Sequence, residues 1–130
     1  MTGVAKVPCG SCPYRKDVPS GIWHPDEYRK LIEYDRDTGE QPMALFMCHQ
    51  RDDNLCAGWV ACHGSNLLAL RIATAVTKKI DVAIFNYTTK APVFVSGTDA
   101  AKHGMRDINT PSLEARQLAI KLQRLKEDLL

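Results

Sequence analysis

Every cysteine of this chain lies in one of two short stretches, CGSCPYR at residues 9–15 and CHQRDDNLCAGWVACH at residues 48–63. Nothing else in the sequence restricts the fold as tightly, because thiols that act together require those two segments to be brought to one place. The cysteine count is five, an odd number, and the N-terminal MTGVAKVPCG has no apolar stretch long enough for a secretory signal. The expected location is therefore the cytoplasm. Reducing conditions there disfavour structural disulfides, so clustered thiols point to metal binding, redox chemistry or burial.

Cys9-Gly10-Ser11-Cys12 sets two thiols across one tight turn, where both sulfurs can reach a single ion. Cys48 follows after 35 intervening residues and Cys56 after seven more. A tetrahedral site needs four soft donors, and Cys9, Cys12, Cys48 and Cys56 supply them. Cys62, His49 and His63 are substitutes, any of which could replace one of the four. Zinc is weighed slightly ahead, as the usual staple of a small domain. The alternative is a [4Fe–4S] cluster, which tolerates irregular spacing, and Pro13 after Cys12 echoes the Cys-Pro of ferredoxins. A thioredoxin-like pair fits less well, since this CxxC does not stand between a strand and a helix. Arg15, Lys16 and Arg51 read either as charges offsetting a thiolate cluster or as solvated surface. Trp23 and Trp59 read either as core or as a shield between the site and water. His24 reads as a helix cap, and His103 has no partner motif.

At 130 residues the chain has room for one domain and one modest core. Hydrophobic residues are 45% and charged residues 25%, the balance of a globular protein, and no segment approaches the length of a membrane span. The net charge of +2 is too mild to argue for a nucleic-acid partner. HPDEYRKLIEYDR predicts a short helix with Pro25 at its first position. MALFMC predicts a buried strand leading into Cys48. CAGWVACHG predicts a helix closed by Gly64, and Ser65 then caps NLLALRIATAVTKK. DVAIFNYTT and APVFVSGT predict a β-hairpin, and TDAAKHGM a helical turn or two. Thr110 and Pro111 open an amphipathic C-terminal helix with Ala115, Leu118, Leu122, Leu125 and Leu129 on one face. The expected fold is α+β: one helix-rich domain over 1–130, with a cysteine-cluster metal site, a short hairpin and a C-terminal helix laid against the rest.

The strings CxxCPYRxDVPSGxW, EYxKLxxYD, FxCHQ and CAGW together resemble an uncharacterised cysteine-rich family of small proteins from actinobacteria and their bacteriophages. The resemblance covers about residues 9–75, and the hairpin and helix of residues 80–130 lie outside it. It implies that Cys9, Cys12, Cys48 and Cys56 carry the family pattern, whereas Cys62 and His63 need not. It also implies a bacterial cytoplasm, that of the host where the protein is phage-encoded.

The chain has no nucleophile elbow, phosphate-cradling glycine loop, HExxH or zinc-deaminase signature. The leading functional expectation is a non-enzymatic accessory or regulatory module that is held together by metal and acts on a protein partner, such as a host protein. One alternative is an iron–sulfur protein that senses redox state or transfers electrons. Another is a metal-dependent enzyme with His49 or His63 as acid–base group. Nucleic-acid binding would draw on Arg15, Lys16, Arg29, Lys30, Arg51 and Arg71, and is weakly supported.

Overall fold

The structure is a computed structural model, and it describes residues 2–51 and 53–128, with the side chains of residues 126–128 left aside. Five helices form the main secondary structure of the described chain: α1 (Pro25–Glu33), α2 (Ala57–His63), α3 (Leu68–Ala75), α4 (Gly97–Met105) and α5 (Leu113–Asp128). Two very short strands, β1 (Gly3–Val4) and β2 (Asn54–Leu55), pair in parallel with Gly3 opposite Asn54 and Val4 opposite Leu55. The α+β expectation holds. None of the described helices is long and apolar enough to cross a membrane.

Local sequence explains the helix starts. His24 accepts a hydrogen bond from the Asp26 amide, and Pro25 occupies the first turn, where its missing N–H costs nothing. The Ser96 hydroxyl accepts from the Asp99 amide at the head of α4. At α5 the cap is Ser112, which accepts from the Ala115 amide, so the helix begins slightly later than Thr110 and Pro111 suggest. Gly64, at φ 54°, closes α2 as expected.

Three expectations need correction. The hairpin expected over 81–98 is absent. Asp81 accepts a hydrogen bond from the Ala83 amide, which starts a 3-10 turn over Val82–Asn86 instead of a strand. The segment after it pairs with the first cysteine loop: Lys16 donates to the Pro92 carbonyl (2.8 Å) and Phe94 donates to the Tyr14 carbonyl (3.0 Å). MALFMC is likewise not a continuous strand. It makes a single antiparallel bridge, Met47 to Leu55, flanked by hydrogen bonds from Cys48 to the Asn54 carbonyl and from Cys56 to the Phe46 carbonyl. Finally, Ser65 does not cap α3, because it lies inside a 3-10 turn over Gly64–Asn66. The Leu68 amide is met by the side chain of buried Gln41, whose own amide donates to the Tyr34 and Arg36 carbonyls. No local pattern could signal a cap supplied from 27 residues away.

The main core gathers Tyr14, Tyr28, Leu31, Tyr34, Phe46, Leu55, Trp59, Leu67 and Leu70. A smaller cluster of Val18, Ile22, Ala115 and Leu122, with Leu118 and Trp23 at its edge, seats α5 on the segment that follows the first cysteine loop. Of the predicted α5 stripe, Leu125 is 45% exposed and Leu129 falls outside the described residues.

Asp35 joins α1 to α4. Its Oδ1 accepts from the Gly97 amide (2.7 Å), and its Oδ2 accepts from both the amide (2.7 Å) and the hydroxyl (2.6 Å) of Thr98. Partial burial alone would raise its pKa, but these hydrogen bonds outweigh burial and hold the carboxyl below its ordinary value. A depressed folded-state pKa means stability that is present above the unfolded value, near 4, and lost as pH falls through the folded one. Asp35→Ala is expected to cost about 1–2 kcal/mol at pH 7. The difference from wild type should shrink below about pH 4, which urea melts at pH 7 and pH 3 will measure.

Candidate functional site

The first cysteine stretch folds into two successive turns, closed by hydrogen bonds from the Cys12 amide to the Cys9 carbonyl and from the Arg15 amide to the Cys12 carbonyl (both 3.1 Å). Arg15 fixes this loop by donating to the Pro8 carbonyl and, through two nitrogens, to the Asp17 carboxylate. Ser11 is buried at the turn. Its hydroxyl receives a bond from Gln50 (2.6 Å), and its carbonyl receives one from the Trp23 indole (2.9 Å). The Gln50 bond links the first cysteine segment to the second.

The second segment is shaped by the Met47–Leu55 bridge. Cys48 leaves one arm and Cys56 ends the other, so both face the same region from either side of a turn that contains Asp53 at φ 64°. Cys56 stands immediately before α2.

All five thiols are free. Cys12 and Cys56 are buried, with their sulfurs 3.7 Å apart. Cys9 and Cys48 are half-buried hydrogen-bonding neighbours. The two pairs line one cavity, together with Pro13, Trp23, His49 and Arg51. Its free volume is about 10 Å³, roughly what one water-sized sphere requires. Among the described residues no three His, Cys, Asp or Glu side chains are gathered as a ready-made set around one ion. The arrangement is two pairs facing a common space.

Each pair is polarised. The hydrogen bond from Cys9 pulls the Cys48 thiol down to about 5 against the effect of burial, helped by the Gln50 and Arg51 amides and the Arg51 charge. Cys9 is pushed up by the same contact and by its burial. Cys12 is lowered by its bond from Cys56, and Cys56 is raised in turn. One sulfur of each pair is therefore favoured as thiolate, the form that ligates metals.

The substitutes separate in space. His49 lines the cysteine cavity, with Nε2 2.8 Å from a Glu27 oxygen and its ring 4.6 Å from that of Trp23. Cys62 and His63 lie at the other end of α2 and line a different cleft. Trp23 borders the cysteine cavity, whereas Trp59 is fully buried core between Tyr34 and Phe46, its indole nitrogen without a partner among the described residues. His103 is structural, bonded to the Val18 carbonyl and set against Phe94. Arg51 is at the site, while Arg15 is committed to Asp17.

Sequence reasoning missed Ser11, Glu27 and Gly58. Only Gly58 had a visible signal, as a glycine inside a helix-forming run. A Cβ at Gly58 would lie 2.5 Å from the Cys12 sulfur and 2.6 Å from the Tyr14 Cβ. That glycine lets α2 approach the first cysteine loop closely enough for Cys12 to meet Cys56. Gly58→Ala is expected to cost about 2 kcal/mol by overpacking, as read by urea melts. Unchanged stability would show that α2 and the first cysteine loop do not pack this closely.

No curated protein and no solved structure matches the chain. A family's sequence model matches residues 4–120, which takes in both cysteine segments, the 92–94 pairing with the first loop and the first half of α5. The extent is wider than the 9–75 suggested by the motifs, and by that match the chain belongs to a family of unknown function, DUF6283.

Proposed function

We propose that Cys9, Cys12, Cys48 and Cys56 bind one zinc ion, and that the protein is a metal-stapled accessory module acting through a protein partner. The supporting observation is that four free cysteines from two distant segments line one small cavity as two close pairs. The 3.7 Å between the Cys12 and Cys56 sulfurs is near the edge of a tetrahedron built on 2.3 Å zinc–sulfur bonds, about 3.8 Å. Binding requires the two pairs to close on the ion. Zinc would supply cross-links between segments that hydrogen bonds alone join weakly. Four thiolates saturate the metal, which disfavours an enzymatic role.

His49 would support the site from beside it, oriented by Glu27, as outer carboxylate–histidine pairs do at metal centres. A protein partner is preferred to nucleic acid because the net charge is only +2 and the charges of Arg15, Arg29 and Lys30 are offset by neighbouring carboxylates. The setting we infer is a bacterial cytoplasm, in actinobacteria or during infection by their phages.

The second reading, a [4Fe–4S] protein, draws on Pro13 after Cys12 and on the lack of a compact ligand set among the described residues. Elemental analysis of protein prepared without oxygen separates the two. Zinc at one per chain in a colourless sample is expected. A brown sample with visible absorbance that bleaches in air would establish the cluster instead, and a folded protein with neither metal would overturn both.

A further inference from the structure

We propose that the cleft at the C-terminal end of α2 binds a neutral polyhydroxylated ligand of the sugar class, one hydroxyl being held between His63 Nδ1 and Asp35 Oδ1. This inference is independent of what the cysteines hold. The cleft has a volume of about 660 Å³, within the range of small-molecule sites.

The His63 side chain is only 7% exposed. Its Nε2 lies 3.0 Å from the hydroxyl of fully buried Tyr14. A phenol is protonated at neutral pH in its ordinary ionisation range, and burial lowers the basicity of His63, so both groups are neutral near pH 7. The Tyr14 hydroxyl has His63 Nε2 as its hydrogen-bond partner among the described residues. A buried phenol donates where it can, so Nε2 accepts and the ring proton sits on Nδ1.

That Nδ1–H faces Asp35 Oδ1 across 3.9 Å, too far for a direct hydrogen bond. Oδ1 accepts from the Gly97 amide and keeps a second lone pair. A donor beside an acceptor at this spacing complements a group that both accepts and donates, which is what a hydroxyl does. The same mixture continues along the cleft. Asn66 offers an amide, and Asp37 and Asp99 offer carboxylates whose side chains have no hydrogen-bond partner among the described residues.

Charge narrows the class further. Asp35, Asp37 and Asp99 face a single Arg36, which repels anionic ligands. A cation would satisfy the carboxylates but make no use of the Nδ1–H donor. Vicinal hydroxyls meet both demands.

The test is saturation-transfer NMR on the full chain as purified, with methyl α-D-glucopyranoside, D-ribose and spermidine as probes. Saturation transfer to the ring protons of at least one sugar is expected, with a millimolar dissociation constant. Asn66→Leu and His63→Gln should each weaken that binding tenfold or more. Asn66 is exposed and outside the core, so the first variant stays informative if the second is poorly folded. The proposal fails if neither sugar shows transfer, if both variants bind as wild type does, or if spermidine binds in place of the sugars.

Discussion

Cys56→Ser should abolish stoichiometric zinc binding and leave the protein largely unfolded at 25 °C, as should stripping the wild type with a strong chelator. The size of the effect follows from two magnitudes. A structural four-ligand zinc contributes about 10–16 kcal/mol of apparent binding energy at neutral pH. A domain of this size has a net stability of about 5–15 kcal/mol. Losing the first removes most or all of the second. Cys56 is the sharpest position because it is buried, because it stands next to the first residue of α2, and because its amide holds the Phe46 carbonyl. A serine there keeps that hydrogen bond and nearly the same volume, so the loss isolates the sulfur. Cys62→Ser is the matched control, expected to keep full metal content because Cys62 lines the other cleft. Far-UV circular dichroism with metal analysis on the same samples decides the matter. If stripped protein keeps its full helical signal and melting point, the metal is not a staple.

The second large effect is expected at Gly97, where α4 crosses α1. A Cβ on Gly97 would run into the Leu31 carbonyl, which is backbone and cannot rotate away. Gly104 meets the Tyr28 ring in the same manner, so α4 approaches α1 through a glycine at each end of the contact. Gly97→Ala must push the helices apart. It would also disturb the hydrogen bonds from Gly97 and Thr98 to Asp35. The expected cost is about 3 kcal/mol, at the upper end for overpacking, which corresponds to about 10 °C in melting temperature for a domain of this size. Gly39→Ala is the control. Nothing lies within 4 Å of a Cβ there, and no loss is expected. Equal melting temperatures for the Gly97 and Gly39 variants would mean that α1 and α4 do not pack this closely.

The sequence by itself determined those features whose causes lie within a few residues. The α1 start follows from His24 and Pro25, and the α2 stop from Gly64. The grouping of cysteines also announced that residues 9–15 and 48–56 belong together, and Cys9, Cys12, Cys48 and Cys56 do line one cavity. Tertiary structure decided whatever depended on partners far along the chain. The strand-like run at 91–95 closes on residues 14–16, where it satisfies backbone groups of the first cysteine loop. The cap of α3 comes from Gln41, and the head of α4 is held by Asp35 from the end of α1. The separation of Cys56 from Cys62 and His63 follows from α2 itself: seven residues of helix set its two ends about 10 Å apart, too far for one ion to touch both.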